Sequence, residues 1–100
     1  MNIKFEYLYR DEDNYKTFGE AVFSNPNHYS LDYITNCIEK NLIEGAWFEP
    51  DNWNIPRFSF HKTNLYGIND YLWYEFEQLS HTNDSVTGGS INELLSTISQ

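Results

Sequence analysis

From Asn2 to Arg10, apolar and polar residues alternate. Ile3, Phe5, Tyr7 and Tyr9 fall on one face, and Lys4, Glu6, Leu8 and Arg10 on the other. This two-residue period predicts a strand. Asp11-Glu12-Asp13-Asn14 follows, a run of side chains that bond their own backbone, so a turn is expected there. Tyr15 to Ser24 reads as a second strand, and the two as a hairpin. Gly19, Ala21 and Phe23 share one of its faces, and Phe18, Glu20 and Val22 the other. The small residues Gly19 and Ala21 predict close packing of something above them, most simply a helix.

Asn25-Pro26-Asn27 ends the hairpin. Ser30 is a good N-cap, and Asp32 suits the positive end of a helix dipole. Leu31, Ile34, Cys37, Ile38 and Leu42 recur at helical spacing, and Gly45 stands where a helix commonly stops. A helix from Leu31 to about Glu44 is therefore expected. A short strand at Ala46–Phe48 and an aromatic loop bounded by Pro50 and Pro56 come next, and Arg57 to Lys62 alternates as a further strand.

Tyr71 to Leu79 fits two patterns. As a strand it places Leu72, Tyr74 and Phe76 opposite Trp73, Glu75, Glu77 and Leu79; as a helix it groups Leu72, Phe76 and Leu79. Its aromatic content favours the strand. Ser80 to Gly89 reads as a polar loop. Ser90-Ile91-Asn92-Glu93 is a capping box, with Ile91, Leu94, Leu95 and Ile98 at helical spacing behind it. The order ββαβββα predicts an α+β fold: an antiparallel sheet of four to five strands with two helices packed on one face. A length of 100 residues predicts one domain over 1–100.

Composition changes the picture in two ways. The rings that make up 18% of the chain can each bury about 150–250 Å², so they supply a core without disulfides or metals. The net charge is −9, and its distribution is uneven: beyond Lys62 there are five carboxylates (Asp70, Glu75, Glu77, Asp84, Glu93) and no Lys or Arg. Such a chain repels nucleic acid and anionic membranes and attracts basic proteins. The same surplus of acid also serves solubility alone. Met1 is followed by no apolar leader, and the single Cys37 excludes an internal disulfide; both predict a cytoplasmic protein. Cys37 lies on the apolar side of its helix, as a small hydrophobe does.

Motifs that carry chemistry are missing. His28, His61, His81 and Cys37 show no ligand spacing, and Asp11, Glu12 and Asp13 lack the glycine and terminal glutamate of a calcium loop, so no metal or other cofactor is expected. There is no nucleophile elbow and no glycine-rich phosphate loop. Glu75 and Glu77 would share a strand face about 6–7 Å apart, within reach of acid–base work on a sugar, but a solvated face is the simpler account. What remains is a mixture of acids and rings. Glu49, Asp51, Trp53, Asp70, Trp73, Glu75 and Glu77 form the candidate partner-binding surface, with rings as anchors and carboxylates speeding encounter with a basic partner. Trp47 is expected in the core. Trp53, between Asn52 and Asn54, suits either core or surface, and Trp73 depends on its strand face.

The strings Tyr9-Arg10-Asp11, Asn14-Tyr15-Lys16, Gly19, Val22-Phe23-Ser24-Asn25-Pro26, Leu42-Ile43-Glu44-Gly45 and Trp73-Tyr74-Glu75-Phe76-Glu77 resemble a family of small, mostly uncharacterised bacterial proteins. In size and acidity the chain is also similar in type to immunity proteins of polymorphic-toxin and contact-dependent growth-inhibition systems. That similarity implies one-to-one binding to a toxin domain, often a basic nuclease, and no catalysis. Two other functions fit the same residues: a nucleic-acid mimic that blocks a DNA- or RNA-binding protein, and a small ligand-binding domain or enzyme with a pocket between helix and sheet.

Overall fold

The computed structural model describes residues 1–61 and 72–99, the side chain of His61 excepted. Six elements follow along the chain: β1 (Asn2–Arg10), β2 (Lys16–Phe23), α1 (Leu31–Lys40), β3 (Trp47–Phe48), β4 (Tyr74–Thr82) and α2 (Ile91–Ile98). The fold is α+β, with two helices and a four-stranded antiparallel sheet in the order β2-β1-β4-β3. No helix among the described residues is long and apolar enough to cross a membrane.

The alternation of β1 sets the sheet. Ile3 pairs with Phe23 and His81, Phe5 with Ala21 and Leu79, and Tyr7 with Gly19 and Phe76. Ile3, Phe5 and Tyr7 are buried, and they join Ile34 and Ile38 of α1 and Ile91, Leu94 and Ile98 of α2 in one cluster. The opposite face of β1 carries Lys4, Glu6, Leu8 and Arg10. Phe5 is the hub of the cluster, with the rings of Phe76, Phe48, Tyr7, Phe23 and Trp53 at 5.2–6.3 Å.

Several expectations are corrected. The strand expected at 57–62 is absent from the described residues: Ser59–His61 forms a 3-10 turn, and the sheet order along the chain is ββαββα. The rings of Phe58 and Phe60 stack on each other at 5.6 Å instead of lying flat along a strand. Gly19 is small for a different reason than a helix above it. A Cβ there would lie 2.8 Å from the rings of both Phe58 and Tyr7. The helix α1 stops at Lys40, because the Asn41 side chain donates to the Cys37 carbonyl and Glu44 and Gly45 both take positive φ. In β4 the register shifts by one residue: Tyr7 faces Phe76 while Glu6 faces Gln78. Glu77 is the extra residue of this bulge, so Leu79 returns to the core side instead of sharing a face with Glu75.

The capping box of α2 forms as its sequence predicts. Glu93 N donates to Ser90 Oγ at 3.2 Å, and Ser90 N donates to Glu93 Oε1 at 3.3 Å. Ser90→Ala is expected to cost about 0.5–2 kcal/mol, read as a lower midpoint in urea. An unchanged midpoint would show that the cap contributes nothing to stability.

Candidate functional site

At one end of the sheet β1, β3 and β4 meet in an open cleft of about 400 Å³, lined by Tyr9, Arg10, Trp47, Trp73 and Glu75. Strand parity places Trp47 and Glu75, while Tyr9 reaches the cleft from the core side of β1. Phe48 pairs with Tyr74 on the core side, so the preceding pair, Trp47 and Glu75, points the other way. Trp73 stacks on Trp47 with ring centroids 5.9 Å apart. Glu75 also faces Leu8 of β1, two residues from Arg10, whose side chain reaches across the strands.

Arg10 grips Glu75 with both prongs of its fork. Its Nε donates to Oε2 at 2.9 Å and its Nη2 to Oε1 at 3.3 Å. A third donor, Nη1, goes to Asn14 Oδ1 at 2.6 Å, which ties the cleft to the hairpin turn. The hydrogen bond that Arg10 donates to Glu75 holds its pKa above the ordinary value, so the guanidinium stays charged. On the other side, Trp73 Nε1 donates to Glu49 Oε1 at 3.4 Å, and Asn52 Nδ2 donates to the second oxygen of Glu49 at 2.8 Å. The cleft lining thus holds one carboxylate and the guanidinium paired with it, and a second carboxylate, Glu49, is bonded to the Trp73 wall.

The predicted surface divides accordingly. Glu49, Trp73 and Glu75 come together at the cleft. Asp51 is exposed, but Arg57 donates to it with Nε at 2.9 Å and with Nη2, and this raises the Arg57 pKa. Trp53 resolves to the core: it is 6% exposed and stacks on Phe48 at 4.8 Å, so its ring anchors no partner. Asp70 lies outside the described residues. Glu77, set apart by the bulge, lines a second depression with Glu6, Phe18, Gly19, Glu20 and Gln78. Glu75 lines the first cleft and not this depression.

Sequence reasoning missed Tyr9, Arg10 and Trp47. Trp47, expected in the core, is half-buried and forms a wall of the cleft. The signal for Arg10 was present, since the last outward residue of an alternating strand tends to reach a neighbouring strand's outward side chains. The signal for Trp47 was not, because it depends on how β3 pairs with β4. Compared with protein-family models, curated proteins and solved structures, the chain matches none of them. Among the described residues no group of three or more His, Cys, Asp or Glu is placed to hold a metal ion.

Chemically, the cleft offers indole faces and acceptor oxygens in one place. An indole face attracts a cation within about 6 Å of the ring centre, and Glu49 and Glu75 retain lone pairs for further donors. A guanidinium or an ammonium is the kind of group that uses both.

Proposed function

We propose that this protein is an acidic binding module that captures a basic protein, and that it serves as an immunity protein neutralising a nuclease-like bacterial toxin in the cytoplasm. The observation that carries the reading is the Trp47–Trp73 stack, bordered by Glu49 and Glu75 on a chain of net charge −9. Interfaces of this kind rely on a few large rings for holding and on unlike charge for encounter. Glu77 contributes to encounter from the neighbouring depression, and Asp51 less, because Arg57 already neutralises it.

The test is association kinetics with a candidate basic toxin domain, at several salt concentrations. Salt is expected to slow association steeply. Glu77→Gln is expected to slow association with little change in folding, since an exposed charge contributes little to stability. Trp73→Ala is expected to act mainly on dissociation, raising the off-rate by tenfold or more, in the range of about 2 kcal/mol for a hot-spot ring. Glu75 is the less informative substitution, because its loss also strands Arg10. Salt-independent association, together with an unaltered off-rate for Trp73→Ala, would rule out the cleft as the recognition site.

A further inference from the structure

The free edge of the sheet carries its own pattern. The Val22 carbonyl accepts from Thr87 N and Gly88 N, and Val22 N donates to Thr87 Oγ1. Ser24 N donates to the Gly89 carbonyl, and Ile91 N to that of Ser24. The backbone groups of Val22 therefore point away from β1. Pairing between β1 and β2 runs without a break from Ile3↔Phe23 to Arg10↔Lys16, so the groups of Glu20, Phe18 and Lys16 point the same way. Segment 87–91 covers only the end of this edge. Among the described residues nothing bonds the outward N–H and C=O groups of Lys16, Phe18 and Glu20. Phe18 is 60% exposed beside them, and Tyr15, just before the strand, is 75% exposed.

We propose that β2 pairs with β2 of a second copy of this chain, antiparallel about a two-fold axis at Phe18, joining two four-stranded sheets into one. Three observations select this occupant. With Phe18 opposite Phe18, Lys16 lies opposite the other copy's Glu20, and Glu20 opposite its Lys16, so the edge is complementary in charge to itself. This register is also the one that uses all three outward residues; sliding by two positions either leaves an end unpaired or runs into Val22, whose groups are already bonded. Finally, Lys16, Phe18 and Glu20 share one face, so the two phenyl rings meet between the two ion pairs. Among the described residues Glu20 is held in the monomer only by Lys4 at 3.6 Å, with its side chain 52% exposed, and Lys16 has no ion-pair partner. An unprotected edge of this kind is one that soluble proteins ordinarily block or pair.

The experiment is sedimentation of the purified full chain over a wide concentration range, with two charge reversals. The wild-type chain is expected to move from 11.9 kDa to twice that mass as concentration rises. Lys16→Glu and Glu20→Lys should each weaken self-association by roughly tenfold or more, because the symmetry places two like-charged pairs in each dimer. An equimolar mixture of the two variants should recover the wild-type affinity as a heterodimer, since both pairs are then attractive. Circular dichroism of each variant separates loss of pairing from loss of fold, and Phe18→Lys, which keeps both charges, provides a second disruption at the centre. A chain that stays monomeric throughout overturns the proposal. So does a dimer that is indifferent to the single reversals or is not recovered in the mixture.

Discussion

Phe5→Ala is expected to lower stability by about 3–5 kcal/mol, the usual cost of removing a buried ring. The side chain is 0% exposed, and five other rings converge on it: Tyr7 from β1 itself, and four from the two neighbouring strands, from β3 and from the turn after it. No single neighbour can move into the space without abandoning its own contacts, so the cavity stays open. A domain of this size has a total stability of roughly 5–15 kcal/mol, and each kcal/mol shifts Tm by roughly 4–8 °C. The variant should therefore lose a fifth or more of its stability and melt about 12–40 °C early by circular dichroism. Phe18→Ala is the control: the same side chain, 60% exposed, should change stability by less than about 1 kcal/mol. Equal effects at the two positions would contradict the placement of the core.

Alkaline pH should destabilise the protein steeply between about pH 10 and 12. Tyr74 is fully buried, and burial pushes its hydroxyl from 10.0 up to about 12. The folded state thus holds its proton more tightly than the unfolded chain does. The resulting stabilisation is complete below pH 10 and disappears as pH rises through 12, a change of roughly 2–3 kcal/mol. Burial raises the Tyr7 pKa in the same direction. Urea midpoints measured from pH 8 to 12 should fall across that window. Tyr74→Phe should fall less steeply, although it begins about 1–3 kcal/mol lower because Phe58 N loses the hydroxyl it donates to at 3.0 Å. Parallel curves for the two proteins would remove Tyr74 as the cause.

Where local chemistry decides the structure, the sequence could be read directly. β1 follows its alternation, and α2 starts at its capping box. Of the segment Tyr71 to Leu79, the part from Tyr74 onward is a strand, while Leu72 and Trp73 precede it. The misreadings share a different origin. Phe58 and Phe60 alternate as a strand would, yet they stack in a turn because Gly19 makes room for Phe58 from a strand far away in sequence. Leu42 continues the helical period of α1, but Asn41 caps the helix before it.

The tryptophans illustrate the same limit at the site. Trp53 occupies a polar, proline-bounded stretch that suits a surface loop, and it is buried because Pro50–Trp53 forms a 3-10 turn that brings its ring onto Phe48. Trp47 reads as core, and it turns outward because its neighbour Phe48 takes the inward position opposite Tyr74. Neither outcome follows from periods within a segment; both depend on which residues of separate segments face each other. Glu49, Trp73 and Glu75 were legible as a group. Arg10, which holds Glu75 in place, enters only through the pairing of β1 with β4.

The position of β1 has a consequence for synthesis. It is made well before its second neighbour, β4, which ends at Thr82. About sixty residues separate the end of β2 from the end of β4, which at roughly 5–20 residues per second takes several seconds of translation. Throughout that interval the second side of β1 stays unpaired, and the core around Phe5 and Tyr7 lacks the ring of Phe76. The stretch between the two strands therefore sets how long the half-built sheet is open to chaperones, proteases and neighbouring nascent chains. Slow synonymous codons placed between residues 24 and 74 should prolong that exposure and reduce the yield of folded protein without altering a single amino acid.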